Sequence, residues 1–189
     1  SRLWQMGGAI KRRRTVTRQM NVPVICVGNL TVGGTGKTPV VIALAQYFRQ
    51  AGLAPHIITR GFGGKLDGPV RVDPAVHSAL DVGDEALLLT RAAPTWMAKD
   101  RAAAAESAEK AGADLILMDD GHQNFSLAKD YALVVIDGAW GFGSGRIMPA
   151  GPLREPIAEG LARANAVILL AGGGHLETTN WRKPVKQSG

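Results

Sequence analysis

Residues 31 to 38 read Thr-Val-Gly-Gly-Thr-Gly-Lys-Thr, between an apolar run from Pro23 to Val27 and a second, helix-compatible apolar run. These residue types in this order suit one chemistry, the cradling of a phosphate chain. Thr31, Val32, Gly33, Gly34, Thr35 and Gly36 offer successive backbone N–H groups to phosphate oxygens, and the helix that follows adds its positive amino end. Lys37 can reach the β- and γ-phosphates of a nucleoside triphosphate while the Thr38 hydroxyl takes Mg²⁺. The strict pattern asks for glycine where Thr31 stands, and Gly33 and Gly34 supply the backbone freedom that glycine would have given. A glycine-rich strand-to-helix turn carrying a stray lysine is the competing reading.

Further candidates lie downstream. Met118-Asp119-Asp120 closes an apolar run with paired carboxylates, the place where a phosphate-loop enzyme holds the magnesium that bridges its nucleotide. Gly83-Asp84-Glu85 sets two acids before an apolar helix, and by spacing alone these read as a capped amino terminus. Asp100-Arg101 opens an alanine-rich helix, with Asp100 placed as an N-cap. Arg60-Gly61-Phe62-Gly63-Gly64 follows an apolar run, where the carboxyl ends of strands in open α/β sheets bind ligands. Gly141 to Arg146 and Pro149 to Glu155 form a glycine- and proline-punctuated loop whose Arg146 and Arg154 suit phosphate. Neither stretch makes a G-x-G-x-x-G turn, and no guanine-reading Asn-Lys-x-Asp is present. His56, His77, His122 and His175 lack metal-ligand spacing.

To hold these groups on one side the chain must alternate strand and helix. Val40, Val41, Leu44, Ala45 and Phe48 recur at helical spacing up to Gly52, and the periodicity predicts strands at Pro55 to Thr59 and Thr95 to Ala98. A short edge strand is expected at residues 69–72, and helices at Asp84 to Ala93, Asp100 to Ala111 and Glu155 to Ala164. Leu115 to Met118, Leu133 to Ile136 and Ala166 to Leu170 are continuous apolar runs, as buried parallel strands are. Residues 21–171 are thus expected to form one α/β domain of phosphate-loop type, a mostly parallel sheet flanked by helices. Residues 172–189 show no periodicity and stay unassigned as a polar tail.

With 189 residues, 46% apolar and 20% charged, the chain has the size and composition of a single globular core. No apolar run approaches the roughly 20 residues of a spanning helix, no cleavable leader pattern opens the chain, and the expected compartment is the cytoplasm. The lone Cys26 reads as a buried, inert thiol. Charge is uneven: the first 66 residues contain ten Lys/Arg and no acid. The densest part, Lys11 to Arg14 with Arg2 and Arg18, stands beside Leu3, Trp4, Met6 and Ile10. Residues 1–20 therefore suit an anionic membrane surface; nucleic acid and a solvated tail are the alternatives, and no nucleic-acid-binding signature accompanies the bases.

Taken together, Val27-Gly28-Asn29-Leu30 leading into the glycine-rich loop, the Arg60 loop, Gly83-Asp84-Glu85, Asp119-Asp120-Gly121-His122-Gln123-Asn124 and Pro149 to Glu155 resemble tetraacyldisaccharide 4′-kinase in order and spacing, from about Gly7 to Leu170. The resemblance implies ATP-dependent phosphorylation of the 4′-hydroxyl of an acylated disaccharide 1-phosphate lipid, with ATP and Mg²⁺ as cofactors, at the inner face of the inner membrane. It implies Asp84 as the base, Lys37 and Arg101 as catalytic cations, and Thr38, Glu85, Asp119 and Asp120 around the metal. Arg60, Gln123 and Arg154 would meet substrate. Nucleic acid is not an expected partner. His122 stands where the family commonly has Phe or Leu, and the family's C-terminal region has no counterpart here. A soluble phosphate-loop ATPase and a catalytically silent nucleotide-binding fragment are the rival readings.

Overall fold

The computed structural model describes residues 16–171 and the backbone of 176–179. Thirteen elements alternate along them: β1 (Val24–Gly28), α1 (Lys37–Gln50), β2 (Pro55–Thr59), β3 (Val70–Arg71), α2 (Ala79–Val82), α3 (Asp84–Leu89), β4 (Thr95–Met97), α4 (Arg101–Lys110), β5 (Leu115–Asp119), β6 (Tyr131–Asp137), α5 (Ile157–Ala162), β7 (Ala166–Leu170) and β8 (Leu176–Thr179). The strands make one eight-stranded sheet in the order β3-β4-β2-β5-β1-β6-β7-β8. Its inner neighbours are parallel, and antiparallel pairing is confined to β3 on β4 and β8 on β7. This is the expected α/β, phosphate-loop architecture.

Strand pleating explains why the apolar runs are continuous. Val24, Cys26, Ile116 and Met118 point to one face of the sheet and pack with Ala104, Ala105 and Ala108 of α4. Val27, Leu115 and Leu117 point to the other and pack with Val40, Val41 and Ala45 of α1. With helices on both faces, alternate positions are buried equally, so no polar alternation survives. Alanines along α4 let that helix lie close to the strands. Cys26 is fully buried, and burial pushes its thiol up to about 11, which keeps it inert.

Several boundaries differ from the periodicity. The helix expected to run to Ala93 stops at Leu89, where the Thr90 hydroxyl donates to the Leu87 carbonyl at 2.6 Å. Arg91 and Ala92 then form tight three-residue turns, and Pro94 disfavours helical backbone at the residue before it. Helix α5 likewise occupies Ile157–Ala162 within the expected 155–164, starting after Pro156 at its N-cap. Short helix α2 was not foreseen; its one turn is closed by Ser78 and Asp81, whose carboxylate accepts from the Ser78 N–H at 2.8 Å. The segment left as an unassigned tail contributes β8, paired antiparallel to β7. Residues 1–15, which hold most of the basic segment, lie outside the described residues.

Candidate functional site

The strand order brings the motifs together. β1 pairs with β5 so that Val27 stands opposite Asp119, β2 lies on the far side of β5, and β6 on the far side of β1. The glycine-rich loop, the Asp119-Asp120 pair, the Arg60 loop and the long loop after β6 therefore all leave the carboxyl edge of adjacent parallel strands.

Within the glycine-rich loop, Gly36 caps α1 with left-handed backbone, φ 78°, and Gly33 has φ 110°. Lys37 and Thr38 are the first residues of α1. Val32, Gly33 and Gly34 are exposed, while Thr31 and Thr35 are buried. The start of the loop is stitched to the 147–154 segment: Thr31 bridges to Leu153, the Val32 N–H donates to the Pro152 carbonyl at 2.8 Å, and Arg154 N–H donates to Leu30 at 2.8 Å. Beneath the loop, Asn29 is fully buried and its Nδ2 donates to the Thr35 hydroxyl at 2.9 Å.

Lys37 Nζ lies 3.7 Å from Asp120 Oδ1, and Arg154 Nη1 holds the same carboxylate at 3.1 and 3.2 Å. Asp120 has φ 47°, which makes it the one non-glycine residue with positive φ among those described. Left-handed backbone disfavours an L side chain by about 1 kcal/mol, so this carboxylate is aimed against a local cost. Gln123 Nε2 donates to the Asn29 carbonyl and to Glu155 Oε1, both at 2.9 Å, while its Oε1 faces Arg154 Nη1 at 3.5 Å. Glu155 in turn accepts from Arg163 Nη2 at 2.7 and 2.6 Å.

Asp119, the last residue of β5, is buried, and its Oδ2 accepts from the Thr59 hydroxyl at 3.3 Å. Burial first, then the charges of Asp120 and Glu85, push its carboxyl up to about 6, while Lys37 and Arg101 pull the other way. Its Oδ1 is buried without a hydrogen-bond partner. An orphaned carboxylate oxygen among acids suits a hard cation. No group of three or more His, Cys, Asp or Glu among the described residues forms a ready-made metal cage. Glu85, Asp119 and Asp120 are therefore not drawn together into such a cage in this structure. Arg101 is buried under the strand end, donating to the Ala98 and Asp119 carbonyls at 3.3 and 3.2 Å; burial lowers it to about 10.

Asp84 and Glu85 open α3 and are exposed. Both lie in the first turn, where the helix dipole favours acids, but neither is the N-cap: that is Gly83, with φ 86° and ψ 148°, and Asp84 Oδ1 accepts from the adjacent Glu85 N–H at 2.9 Å. A side chain at Gly83 would sit 2.5 Å from the Phe62 carbonyl, so glycine is what lets the Arg60 loop press on this helix start. Asp100, by contrast, is an N-cap, accepting from Ala102 N–H at 2.9 Å. Arg60 is exposed on the rim, close enough for its charge to act on Arg101. Among the described residues neither Arg60 nor Asp84 makes a direct side-chain bond to the Lys37–Asp120 pair.

Residues 1–188 match the family described as Tetraacyldisaccharide-1-P 4'-kinase, LpxK. The chain belongs to the tetraacyldisaccharide-1-P 4'-kinase family. Relatives named Tetraacyldisaccharide 4'-kinase include one from Rhodospirillum centenum, 59% identical over 86% of this chain and 49% of the relative. Another, from Dinoroseobacter shibae, is 55% identical over 89% and 50%. An "apo"-form LpxK from Aquifex aeolicus, solved in complex with ATP, superposes with a TM-score of 0.78 at 29% identity, covering 89% of this chain and 56% of that one. The chain spans about half the length of the curated kinase relatives it matches.

Asn29, Glu155 and Arg163 were absent from the sequence-derived site. Asn29 had a signal, a polar residue inside the buried run before the loop. Glu155 stood next to Arg154. Arg163 carried none; it caps the far end of α5, and that short helix brings it back to Glu155.

Proposed function

We propose that this chain is the nucleotide-binding catalytic portion of a kinase that moves the γ-phosphoryl group of ATP to the 4′-hydroxyl of tetraacyldisaccharide 1-phosphate. The reading rests on Lys37, Asp120 and Arg154 converging at the mouth of a phosphate-cradling loop, in a chain of this family. In the proposed reaction the hydroxyl O–H bond breaks, its proton passes to Asp84, the oxygen bonds to the γ-phosphorus, and the bond to the β-phosphate breaks to release ADP. Backbone N–H groups of residues 31–36 hold the triphosphate, and Lys37 leaves Asp120 to pair with its β- and γ-oxygens. Thr38, Glu85, Asp119 and Asp120 are the residues to hold Mg²⁺, whose chemistry when bound is to neutralise charge on the phosphates. Arg101 supplies positive charge from beneath the strand end, and Arg60, Gln123 and Arg154 face the acceptor.

We further read residues 1–20 as a membrane-proximal segment on the cytoplasmic face of the inner membrane and 21–171 as the kinase domain. No described helix is long and apolar enough to cross a membrane. A lipid acceptor resident in a bilayer and a basic start, each base contributing on the order of 1 kcal/mol near anionic lipid, support the surface reading. Flotation with phosphatidylglycerol vesicles at low salt is expected to carry the protein upward; protein remaining at the bottom of the gradient refutes it.

The central experiment is incubation with γ-labelled ATP and the acylated disaccharide. Label is expected at the 4′ position, with Lys37→Ala lowering transfer by at least about 100-fold. Undiminished transfer by Lys37→Ala overturns the site, and ATP binding with no transfer by the parent chain favours the silent nucleotide-binding alternative.

A further inference from the structure

The sheet has a notch in its amino edge, opposite the edge that carries Lys37 and Asp120. Strand β4 is three residues long and starts level with the third residue of β2, Thr95 standing opposite Ile57. On its other side the chain leaving β3 runs on past it, with the Val72 N–H donating to the Thr95 carbonyl at 2.8 Å. The start of β2 and the segment after β3 therefore flank a gap that β4 does not reach. A cavity of about 850 Å³ occupies the gap, lined in part by Arg49, Leu53, Arg71, Asp73, Pro74 and Pro94. The five residues of β2 separate it from the Arg60 loop, a strand length of about 16 Å, so an occupant does not overlap the glycine-rich loop.

The walls exclude one kind of occupant. Pro55, Pro74 and Pro94 bring no N–H to the gap, and a strand added there would need such donors for its ladder. The Thr90 and Thr95 hydroxyls already donate to the Leu87 and Ala93 carbonyls, at 2.6 and 3.0 Å. The Asp73 N–H is taken by His77 Nδ1 at 3.0 Å. His56 Nδ1 accepts from Trp96 Nε1 at 3.2 Å, and its ring also bonds to the Ala108 backbone. Among the lining side chains, the spare N–H groups belong to Arg49 and Arg71.

Both guanidinium groups have a fixed place. Arg49, in the last turn of α1, donates through Nη1 to the Ala92 carbonyl at 2.8 Å, which sets it against the wall made by Ala93 and Pro94. Arg71 stands opposite Trp96 in the β3–β4 ladder, and its charge helps to lower the pKa of the neighbouring His56. Neither arginine pairs with a carboxylate among the described residues. Asp73 is the one acid in the lining, and its Oδ1 accepts from the Ala75 N–H at 2.9 Å. Two cations against one anion leave the notch positive, with Leu53, Pro74 and Pro94 offering apolar surface between them.

We propose that the notch binds a small organic anion, its phosphate or carboxylate oxygens held by Arg49 and Arg71 and its apolar body lying against Leu53, Pro74 and Pro94. Guanidinium forks suit either oxyanion, and the volume is that of a site for a whole organic molecule, which an inorganic ion would leave largely unfilled. The notch is separate from the proposed kinase site, and neither depends on the other.

The test titrates the chain into 1-naphthyl phosphate at constant ionic strength and follows the naphthyl fluorescence. Saturable binding at or below millimolar protein is expected, with uncharged 1-naphthol at least about tenfold weaker, as for loss of hydrogen bonds to a charged group. Arg71→Met should weaken binding to a similar degree. Ala54→Trp should do so as well, because it fills the notch without removing a charge. Both side chains are exposed, so melting temperatures near that of the parent are expected. Lys37→Ala should bind like the parent. 1-Naphthoate separates the two oxyanions: tighter binding than the phosphate assigns a carboxylate occupant, and weaker binding a phosphate. Equal affinity for 1-naphthyl phosphate and 1-naphthol overturns the proposal, as does no binding by the parent. Binding that survives both Arg71→Met and Ala54→Trp, or that Lys37→Ala removes, overturns it too.

Discussion

Lys37 and Asp120 hold one another in this structure, and in the proposed reaction ATP must exchange that pairing for another. At 3.7 Å the contact is long for an ion pair, although its side chains are only 11% and 32% exposed, and the several charge-assisted bonds that a triphosphate offers offset its release. The less obvious residue is Asn29. It is fully buried directly under the loop, and its amide fixes the Thr35 hydroxyl at 2.9 Å. Replacing it by alanine leaves that hydroxyl without its partner, a loss of about 1–3 kcal/mol, and frees the loop to sample other shapes. Chemical denaturation of Asn29→Ala is expected to show that loss together with weaker ATP binding. Unchanged stability and affinity would remove Asn29 from the loop's support.

The junction between β1 and α1 depends on one backbone conformation. Gly36 sits at φ 78°, and a methyl group there would overlap the Leu170 side chain from β7. Gly34, two residues earlier, has open space around it. Gly36→Ala should therefore cost about 1–3 kcal/mol through left-handed strain and overlap, whereas Gly34→Ala should be close to neutral for folding. Equal melting temperatures for the two variants would show that the helix start does not need this conformation. The contrast matters because Gly36 precedes Lys37, so its strain passes directly to the group proposed to meet the phosphates.

Burial set by the assembled sheet governs how the molecule responds to acid. His56, on β2, is 7% exposed, its Nδ1 accepts from Trp96 Nε1 at 3.2 Å, and burial together with Arg71 lowers its pKa from 6.5. The unfolded chain then binds the proton more readily than the folded one, so this histidine's stabilisation is complete above about pH 6.5 and declines as pH falls through that value toward the folded pKa. Unfolding free energy measured from pH 7.5 to 5 should fall, and His56→Gln should flatten the slope. An identical slope in both proteins would place the acid sensitivity elsewhere. Asp119 works in the opposite sense: raised to about 6, it takes up its proton in the folded state below that value, whereas the unfolded chain does so only near 3.8, so it favours the fold as pH drops from 6 to 4.

Local chemistry wrote much of this protein into its sequence. Apolar runs of strand length, the Gly-Lys-Thr turn, the Asp100 cap and the Asp119 strand end depend on neighbouring residues, and β2 and β7 appear with the boundaries their patterns predict. Tertiary structure decided what depends on distance. Parallel pairing of β1 with β5 brings Asp119 beside the phosphate loop across 92 residues of chain. The return of the 147–154 segment places Arg154 on Asp120 and ties its backbone to Leu30. Residue spacing carries no record of such contacts, because strand order is chosen by how the two apolar faces can both be covered by helices, and only that choice fixes which strand ends become neighbours.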